Sequence, residues 1–178
     1  LVVPGKTQHE VLKLLTDDEE KTEIIIGQRH ITFKIKNYRI ISRLIEGTFI
    51  EYKSAIPKDT KTEVVINTRT IIDAVERMSL LNNDRIQSPV RCIFSDDEIK
   101  LSCTSAVGRA NDVISVPIIG ESVEIGFNNR YLLDALKNAD TDEIKLILNG
   151  SLTAMIVKPV KGDSYLSIVV PMRLANEN

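Results

Sequence analysis

The sequence has 178 residues, of which 43% are hydrophobic and 27% charged, and its formal net charge is −2 at pH 7. This composition is ordinary for a globular protein and excludes a chain that is basic throughout, although it is compatible with a local basic stripe. Aromatic residues make up 4% with no Trp, which argues against stacking platforms for single-stranded nucleic acid. No run approaches the roughly 20 apolar residues that a membrane helix needs, so we predict no membrane partner.

The first predicted elements are a short strand at Val2 and Val3 and a helix. The string Thr7-x-x-Glu10 predicts a capping box, because the hydroxyl and the carboxylate can each accept from a free backbone N–H at the helix start. The apolar side of this helix carries Val11, Leu12, Leu14 and Leu15. An acidic turn is predicted at 17–20. Three strands follow, at Glu23–Ile26, 31–35 and 38–42. A turn at Gly27-Gln28 separates the first of them from the second.

A segment at 46–61 that contains glycine and proline is predicted to be a linker, and the same order of elements follows it. A strand at 63–66 precedes a helix whose N-cap is Asn67 or Thr68, since both residue types are favoured there. The apolar stripe of this helix consists of Ile71, Ile72, Val75 and Met78. The strands predicted next lie at 90–94, at 99–103 after a turn over 95–98, and at 112–117.

The third copy of this order begins with the strand Val123–Phe127 and a helix at 130–138 that Asn128 caps. The apolar side of the helix carries Leu132, Leu133 and Leu136. After a strand at 144–148, Asn149-Gly150 predicts a two-residue hairpin, because both positions tolerate a positive φ. The remaining elements are a return strand at 152–157, a turn at Gly162-Asp163 and a last strand at 165–170, where Pro171 is expected to end the pairing.

Three copies of one strand–helix–strands unit indicate an α+β fold with helices packed on one face of antiparallel sheets. A single unit cannot bury both its helix stripe and its sheet face, whereas two units side by side can. We therefore predict a complete domain over 61–178 and a truncated half domain over 1–60. We also expect that the chain is a fragment whose N-terminal part was removed.

No pattern in the chain is typical of catalysis or of a cofactor site. His9 and His30 have no metal-ligand spacing around them, and no phosphate-binding loop, nucleophile elbow or CxxC motif occurs. Cys92 and Cys103 lie diagonally on two adjacent predicted strands, which disfavours a disulfide and suits the reducing cytoplasm. We therefore predict a cytoplasmic protein that is not an enzyme and that needs no cofactor or metal.

Several short strings follow one another along the whole chain. They are Val3-Pro4-x-Lys6, Leu44-Ile-Glu-Gly47-x-Phe49 with Tyr52 and Pro57, Ala74 to Arg77 leading into Ser79-Leu80-Leu81, Glu124-Ile-Gly-Phe-Asn128-x-x-Tyr131, and Ser164-Tyr-Leu-Ser-Ile-Val-Val-Pro-Met-Arg-Leu174. Together they resemble the bacterial sliding-clamp family, the β subunit of DNA polymerase III. The resemblance implies a DNA-clamp fold, with 1–60 as the second half of the middle clamp domain and 61–178 as the C-terminal domain.

In that family two subunits close head to tail into a ring around duplex DNA. The resemblance thus implies a processivity factor of bacterial DNA replication, which holds DNA without reading its sequence. Basic residues on the helices that would line the channel are Lys6, Lys13, Arg77, Arg130 and Lys137. Attraction of such side chains to phosphates is blind to sequence and permits sliding. An ordinary solvated helix face is the alternative for each of these residues.

The resemblance also implies a pocket that takes linear peptides from the DNA polymerase III alpha subunit, the clamp loader and repair polymerases. Its walls, carried over by position, are Ile50, Ala55, Asn128, Tyr131, Leu152, Ala154, Ile168, Val169, Val170, Pro171, Met172, Arg173 and Leu174. Apolar side chains would anchor the peptide, while Asn128, Tyr131 and Arg173 would orient it. For Ile168 and Val170, plain strand core is an equally good interpretation. Residues 175–178 extend past the family's usual end and are expected to obstruct the pocket in part.

Leu80 and Leu81 match the apolar pair at the family's ring interface, although core packing explains them equally well. Their partner in the family is the first domain of another subunit, which this chain lacks. We therefore expect a monomer, unless the exposed sheet edge of the half domain pairs with itself. Two alternatives to the clamp stay open: a stand-alone peptide- or protein-binding module without a DNA role, and a small metabolic enzyme. The enzyme is disfavoured by the missing nucleophile, base and phosphate loop.

Overall fold

The computed structural model describes residues 1–17, 21–81 and 88–174, and packing divides the chain into two compact units, Leu1–Glu51 and Tyr52–Asn178. The division falls inside the segment at 46–61 that the sequence predicts as a linker. Most of the predicted acidic turn at 17–20 and all of 175–178 lie outside the described residues. Within the described residues, no helix is both long and apolar enough to cross a membrane.

The first unit contains the helix and the three later strands of the predicted order, but residues 1–4 form no strand, so the strand predicted at Val2 and Val3 is wrong. Its helix is α1 (Gly5–Leu14), and its antiparallel sheet contains, in sheet order, β1 (Glu23–Ile26), β2 (His30–Ile35) and β3 (Tyr38–Arg43). The buried apolar side chains that form its core are Val11, Ile31, Phe33 and Ile35. The partly buried Val3, Leu14, Ile40 and Leu44 pack at the margin of this core. One helix therefore covers only part of one sheet face.

The start of α1 differs from the prediction. The helix begins at Gly5 with Pro4 in the N-cap position, and it has no capping hydrogen bond from a described side chain. Thr7 lies inside the helix, where its hydroxyl shares a hydrogen bond of 2.6 Å with the hydroxyl of Ser42 on β3. The capping box at Thr7 and Glu10 is therefore a wrong prediction, because a tertiary contact with the sheet takes up the hydroxyl.

The second unit holds two copies of the same order. After the short helix α2 (Tyr52–Ala55), the first copy contains β4 (Thr62–Asn67), α3 (Thr68–Ser79), β5 (Val90–Ser95), β6 (Glu98–Ser105), β7 (Gly108–Ser115) and β8 (Ile118–Gly120). The second copy contains β9 (Val123–Phe127), α4 (Asn129–Lys137), β10 (Glu143–Leu148), β11 (Met155–Pro159), β12 (Ser167–Val169) and β13 (Pro171–Met172). Strand β8 was not predicted from the sequence.

The two copies exchange their first strands. The antiparallel sheets have the orders β12-β11-β10-β4-β8 and β13-β9-β5-β6-β7, so β4 joins the strands of the second copy and β9 joins those of the first. Helices α3 and α4 pack against each other, and both contribute to one hydrophobic core with the sheets. This arrangement confirms the α+β prediction, and the exchange explains why a single copy does not make a complete domain.

The predicted cap Asn128 is confirmed, and of the two candidates Asn67 and Thr68 the cap of α3 is Asn67. The Oδ1 of Asn67 accepts from the N–H of Thr70 at 3.0 Å. The Oδ1 of Asn128 accepts from the N–H of Arg130 at 3.0 Å and from that of Tyr131 at 3.3 Å. The predicted stripe of α3 is buried throughout, and on α4 Leu132 and Leu136 are buried while Leu133 is partly buried. Local capping and helical periodicity thus define these helices correctly.

The turn predicted over 95–98 is confirmed, whereas the two-residue hairpin predicted at Asn149-Gly150 is wrong. Asp96 and Asp97, with φ of 53° and 56°, form the two-residue connection between β5 and β6. At the predicted Asn149-Gly150 hairpin only Gly150 has a positive φ, of 104°, whereas a type I′ turn requires it at both central positions. A loop over 149–154 connects β10 and β11 instead, so the predicted strand at 152–157 begins only at Met155.

The two cysteines lie on adjacent strands in the predicted register. Cys92 on β5 is opposite Leu101, and Cys103 on β6 is opposite Ala110 of β7, so the two thiols are not cross-strand neighbours. Both side chains are buried. Burial raises the pKa of the Cys92 thiol to about 12, so the thiolate that reacts with oxidants and alkylating agents is scarce in the folded chain.

Candidate functional site

An open groove lies in the second unit, where β9, the loop after β10 and the chain end after β13 meet. Its volume is about 430 Å³. The residues that line it are Glu124, Ile125, Gly126, Ser151, Leu152, Met172, Arg173 and Leu174. Apolar side chains flanked by a few charged ones suit the binding of an extended chain rather than bond-making chemistry.

Residues 172–174 reach this groove because the chain moves to the other sheet directly after the strand predicted at 165–170. β12 pairs with β11, whereas β13 pairs with β9 and places Met172 opposite Gly126. Val170 lies at the crossing with 68% of its surface exposed. The expectation that Pro171 ends the pairing is wrong, since Pro171 lies opposite Phe127. A proline is tolerated there because β13 is an edge strand.

Gly126 allows Leu174 to lie directly on β9. A Cβ atom at position 126 would be 2.6 Å from Cδ2 of Leu174 and 3.0 Å from the carbonyl oxygen of Met172. Any other residue would have to displace one of these groups. A glycine inside a strand often marks such a close approach. Gly126 is therefore the feature of the sequence from which the floor of the groove could have been identified.

Leu152 stands at the rim of the groove with 79% of its surface exposed. It lies in the loop over 149–154, outside the strands that the sequence predicted for it. Glu124 lies on the opposite wall, and its Oε1 accepts from Nε of Arg91 on β5 at 2.6 Å. The negative charge of that wall is therefore balanced within the sheet, which leaves the exposed Arg173 to meet an anionic group of a ligand.

The structure brings four of the predicted pocket residues together in the groove: Leu152, Met172, Arg173 and Leu174. The lining residues that the sequence analysis missed are Glu124, Ile125, Gly126 and Ser151. The assignment of Val169 to the pocket wall is wrong, because its side chain is 2% exposed within the core and offers no surface to a ligand. It was chosen for its neighbours in the closing string, although alternation along β12 turns it inward.

The other predicted pocket residues lie elsewhere in their units. Asn128 caps α4, and Tyr131 in the first turn of that helix is 64% exposed. The half-buried Ala154 and Ile168, the exposed Val170 and the half-buried Pro171 do not line the groove. Ile50 belongs to the first unit and is 77% exposed, while Ala55 ends α2 and is also exposed.

The basic residues predicted to face DNA are all exposed, and three of them have acidic partners. Nζ of Lys13 lies 2.8 Å from Glu10, and Nζ of Lys137 lies 2.6 Å from Glu76 across the α3–α4 contact. Nε of Arg77 donates to Asp112 at 2.9 Å. Lys6 on α1 and Arg130 on α4 complete the set.

Each helix therefore carries only a small excess of positive charge, if any. Helix α3 has Arg69 and Arg77 against Asp73 and Glu76, while α4 has two basic residues against Asp134. Exposed ion pairs of this kind are weak, so phosphates can compete for the same cations. Such surfaces would therefore attract a polyanion only loosely.

Leu80 and Leu81, the predicted interface pair after α3, differ in their exposure. Leu80 is 83% exposed, whereas Leu81 is partly buried and packs against the core of the second unit. Core packing, the alternative interpretation, therefore holds for Leu81, and Leu80 alone presents an apolar surface. In the part of the chain that the structure describes, no three His, Cys, Asp or Glu side chains are placed to hold a metal ion.

The exchanged first strands, the paired helices and the groove at the sheet crossing define the second unit as a domain of the DNA-clamp type. The sequence matches the family model for the DNA polymerase III beta subunit, C-terminal domain, over residues 53–173, and the model for its central domain over 1–51. The chain therefore belongs to the DNA polymerase III beta subunit family, and the resemblance found in the short strings is confirmed.

Named relatives agree with this assignment. The beta sliding clamp of Bacillus subtilis (strain 168) is 31% identical over 176 residues, which is 97% of this chain and 47% of the relative. A crystal structure of the Bacillus subtilis DNA polymerase sliding clamp matches 97% of this chain and 46% of its own, with a TM-score of 0.88 and 31% identity. The sliding clamp of Pseudomonas aeruginosa bound to griselimycin matches with a TM-score of 0.85 and 29% identity, over 97% of this chain and 47% of its own. The chain thus spans about half the length of these relatives.

Proposed function

We propose that this chain acts as part of a sliding clamp, a processivity factor of bacterial DNA replication that surrounds duplex DNA and tethers partner proteins without catalysing a reaction. Family membership over both units supports this. In a complete clamp, the ring would close as a homodimer, with Leu80 at the subunit junction. We place the protein in the cytoplasm, where the buried Cys92 and Cys103 would stay reduced.

The tethering role is carried by one observation: the exposed Leu152 faces a groove whose floor is Leu174 lying on Gly126. We propose that this groove binds short linear peptides from the DNA polymerase III alpha subunit, the clamp loader and repair polymerases. The clamps of Pseudomonas aeruginosa and Bartonella birtlesii, whose solved structures are described as bound to griselimycin, supply a defined probe. We propose that griselimycin occupies the same groove in this chain.

Titration of the 178-residue chain with griselimycin, followed by amide NMR shifts and calorimetry, tests the groove. The expected shifts lie at Leu152, Met172 and Leu174, with Tyr131 responding if the binding surface extends to α4. Replacement Leu152→Asp should weaken binding by roughly tenfold or more, because it removes an apolar anchor and adds a charge. The matched control is Ile119→Asp, since Ile119 is 73% exposed on β8, an edge of the other sheet. Equal losses in the two variants would contradict the assignment.

Binding to duplex DNA of unrelated sequences tests the helix surfaces. Affinity should be weak, equal between sequences and lower at higher salt. The double variant Lys6→Glu with Lys13→Glu should weaken binding and flatten the salt dependence, and in an assembled ring it should slow loading or shorten retention on DNA. Replacement Lys161→Glu in the turn between β11 and β12 makes the same charge change away from the helices. Retention that is unchanged in the double variant across salt concentrations would contradict the role in DNA binding.

The ion pairs on α3 and α4 favour one alternative, a peptide-binding module without a DNA role. Arg77 and Lys137 are held by Asp112 and Glu76, so less positive charge is available than the sequence suggests. This alternative predicts that griselimycin binds while duplex DNA binding does not respond to charge reversal on any helix. The same pair of titrations therefore separates the two functions.

A further inference from the structure

We propose that Asn149 is a site of spontaneous modification, at which the side-chain amide becomes a carboxylate, and that this conversion weakens ligand binding in the groove. The reacting pair is Asn149-Gly150, which lies in the loop over 149–154 between β10 and β11. The loss of binding rests on the peptide-binding function proposed above, whereas the conversion itself depends only on the chemistry and the geometry of the loop.

The conversion needs water as its only co-reactant, and asparagine is among the thermolabile residue types. The backbone nitrogen of Gly150 attacks Cγ of Asn149, a C–N bond forms, and the Cγ–Nδ2 bond breaks. Ammonia leaves with the proton that the Gly150 nitrogen loses, and a cyclic imide remains. Water then adds its hydroxyl to one imide carbonyl carbon and returns a proton to that nitrogen. Opening at Cγ gives aspartate, whereas opening at the backbone carbonyl gives isoaspartate, in which the main chain runs through the side-chain carbon atoms.

The attacking nitrogen of Gly150 is neither hydrogen-bonded nor shielded within the described chain. Its N–H donates to no residue that the structure describes. Apart from the chain neighbours, no described atom lies within 4 Å of a Cβ built on Gly150. Its φ of 104° is accessible to glycine and unfavourable for other residues. No described contact therefore opposes the rotation that brings this nitrogen to Cγ of Asn149.

The amide group of Asn149 is not held in place either. Its Oδ1 is buried and has no hydrogen-bond partner among the described residues, and its Nδ2 donates to none of them. A buried polar atom without a partner is costly in the native state. The loop consequently loses little when the amide turns toward Gly150.

Other asparagines of the described chain are protected at the same atoms. In Asn67-Thr68 the second N–H donates to the carbonyl of Asp142 at 2.8 Å, and in Asn129-Arg130 it donates to Oδ1 of Asn128 at 3.0 Å. The side chain of Asn129 also has a buried Oδ1 without a partner, but its Nδ2 donates to the hydroxyl of Ser79. Asn129 is therefore the internal control, since the nitrogen that would attack it is occupied.

The loop that carries Asn149 also carries one side of the groove. Ser151 and Leu152 line the groove and follow Asn149 closely in the sequence. Leu148 and Met155, which flank the loop, are 0% and 2% exposed within the core. Because both ends are fixed by packing, a change at position 149 has to be taken up within the loop itself.

Both products disturb this loop. A carboxylate places a charge where the amide oxygen is buried, and an unpaired buried charge costs far more than a neutral polar atom. Isoaspartate in addition lengthens the main chain by one carbon atom. The loop therefore rearranges, and Leu152 leaves the position in which it borders the groove.

Mass spectrometry of the full 178-residue chain tests the conversion. During incubation at mildly alkaline pH, the peptide that contains Asn149 should gain the mass difference between an amide and a carboxylic acid, and it should separate into two isomers. Asn129 should keep its amide over the same period. An Asn149 amide that lasts as long as that of Asn129 would overturn the proposal.

Two variants test the route of the conversion. Gly150→Ala should slow it by roughly tenfold or more, because a Cβ crowds the attacking nitrogen and disfavours the positive φ. Asn149→Gln should slow it as well, because the longer side chain has to close a larger ring. Because the two variants change different partners of the reaction, a folding defect in one leaves the other informative. A rate equal to that of the wild type in both variants would exclude attack by the Gly150 nitrogen.

Griselimycin titration before and after incubation tests the effect on the groove. The converted chain should bind roughly tenfold more weakly, and the amide signals of Ser151 and Leu152 should shift. Freshly prepared Asn149→Asp should show part of this loss, because it carries the charge without the longer main chain. Gly150→Ala, incubated in parallel, should keep its starting affinity. Unchanged affinity and unchanged Leu152 signals in the converted chain would contradict the effect on the loop.

The two readouts separate this site from the function proposed for the groove. If the fresh wild-type chain does not bind griselimycin, the peptide-binding function fails. The gain in mass at Asn149 and the shift of the Leu152 signal would still support the modification and its effect on the loop.

Discussion

The two units of this chain show the same repeat alone and in a pair. In the first unit one helix rests on three strands, and the apolar Ile24 and Leu12 stay largely exposed. In the second unit Ile144 and Leu136, at the same positions of the repeat, are completely buried. Helices and strands form in both units, whereas these two positions are completely buried only where two copies of the repeat pack together.

The strongest way to test this comparison is to remove the same leucine from both units. Leu136→Ala should cost about 2–5 kcal/mol of stability, because it leaves a cavity in a packed core. Leu12→Ala should change the stability of the first unit by less than about 0.5 kcal/mol while the chain is monomeric. Amide hydrogen exchange, measured for each unit at high dilution, gives both values. Similar losses would mean that the first unit buries Leu12 in solution.

A glycine pair should shift stability in opposite directions. Gly126→Ala should cost about 1–3 kcal/mol or displace Leu174 from β9, because its Cβ has no room beneath that side chain. Gly5→Ala should stabilise α1 by about 0.4–1 kcal/mol, because among the described residues no atom beyond its chain neighbours and its own helix backbone lies within 4 Å of the added Cβ, and the unfolded chain loses freedom. Urea unfolding followed by circular dichroism measures both changes. If Gly126→Ala is neutral and the Leu174 resonances do not move, Leu174 does not rest on the floor of the groove.

Helix capping should distinguish the units by a smaller amount. Asn128→Ala removes the acceptor for two backbone N–H groups and should cost about 1 kcal/mol. Thr7→Val removes no capping contact, and it costs only the hydroxyl contact with Ser42. Thermal unfolding of each variant provides the comparison. A larger loss for Thr7→Val would restore the capping box that the sequence predicted.

The smallest effect concerns two carboxylates. Lys137 lowers the pKa of Glu76, first through its hydrogen bond to the carboxylate and second through its positive charge. Lys13 lowers the pKa of Glu10 in the same two ways. Because both pKa values are lowered, the stabilising contribution is present above the ordinary carboxyl pKa and is lost as pH falls through the lowered one. Carboxyl NMR titration should show the Glu76 pKa rising in Lys137→Met and the Glu10 pKa rising in Lys13→Met.

The two pairs differ in what else disturbs them. Glu10 and Lys13 are neighbours on one helix, whereas Glu76 and Lys137 belong to two helices that must be packed together. Leu136→Ala should therefore raise the Glu76 pKa and leave the Glu10 pKa unchanged. An unchanged Glu76 pKa would show that the α3–α4 packing survives loss of that leucine.

The elements defined by local chemistry were predictable from the sequence. Apolar stripes preceded by Asn67 and Asn128 identify α3 and α4, because an asparagine acceptor and helical periodicity act within one turn of each other. Thr7 misled the prediction because its hydroxyl had a partner on a distant strand. Asn149-Gly150 misled it because a favourable turn dipeptide does not exclude a longer loop.

Only some of the residues that line the candidate groove were predicted from the sequence. Leu152 and the closing residues Met172 to Leu174 were found through resemblance, whereas Glu124 and Ser151 line the groove only because strands from distant parts of the sequence meet there. Alternation of apolar residues assigns each side chain to a face of a sheet but does not say which sheet a strand joins. For that reason the crossing at Val170 could not be predicted, and Val169 was taken for a wall of the pocket.

The crossing between β12 and β13 also sets the order in which the second unit is completed on the ribosome. Translation proceeds from the N-terminus, so β11 and β9 are made well before residues 167–172, whose strands β12 and β13 cover one edge of each sheet. Until that segment leaves the exit tunnel, both sheets of the nascent chain keep an edge open to other polypeptides. This single short stretch then covers one edge of each sheet.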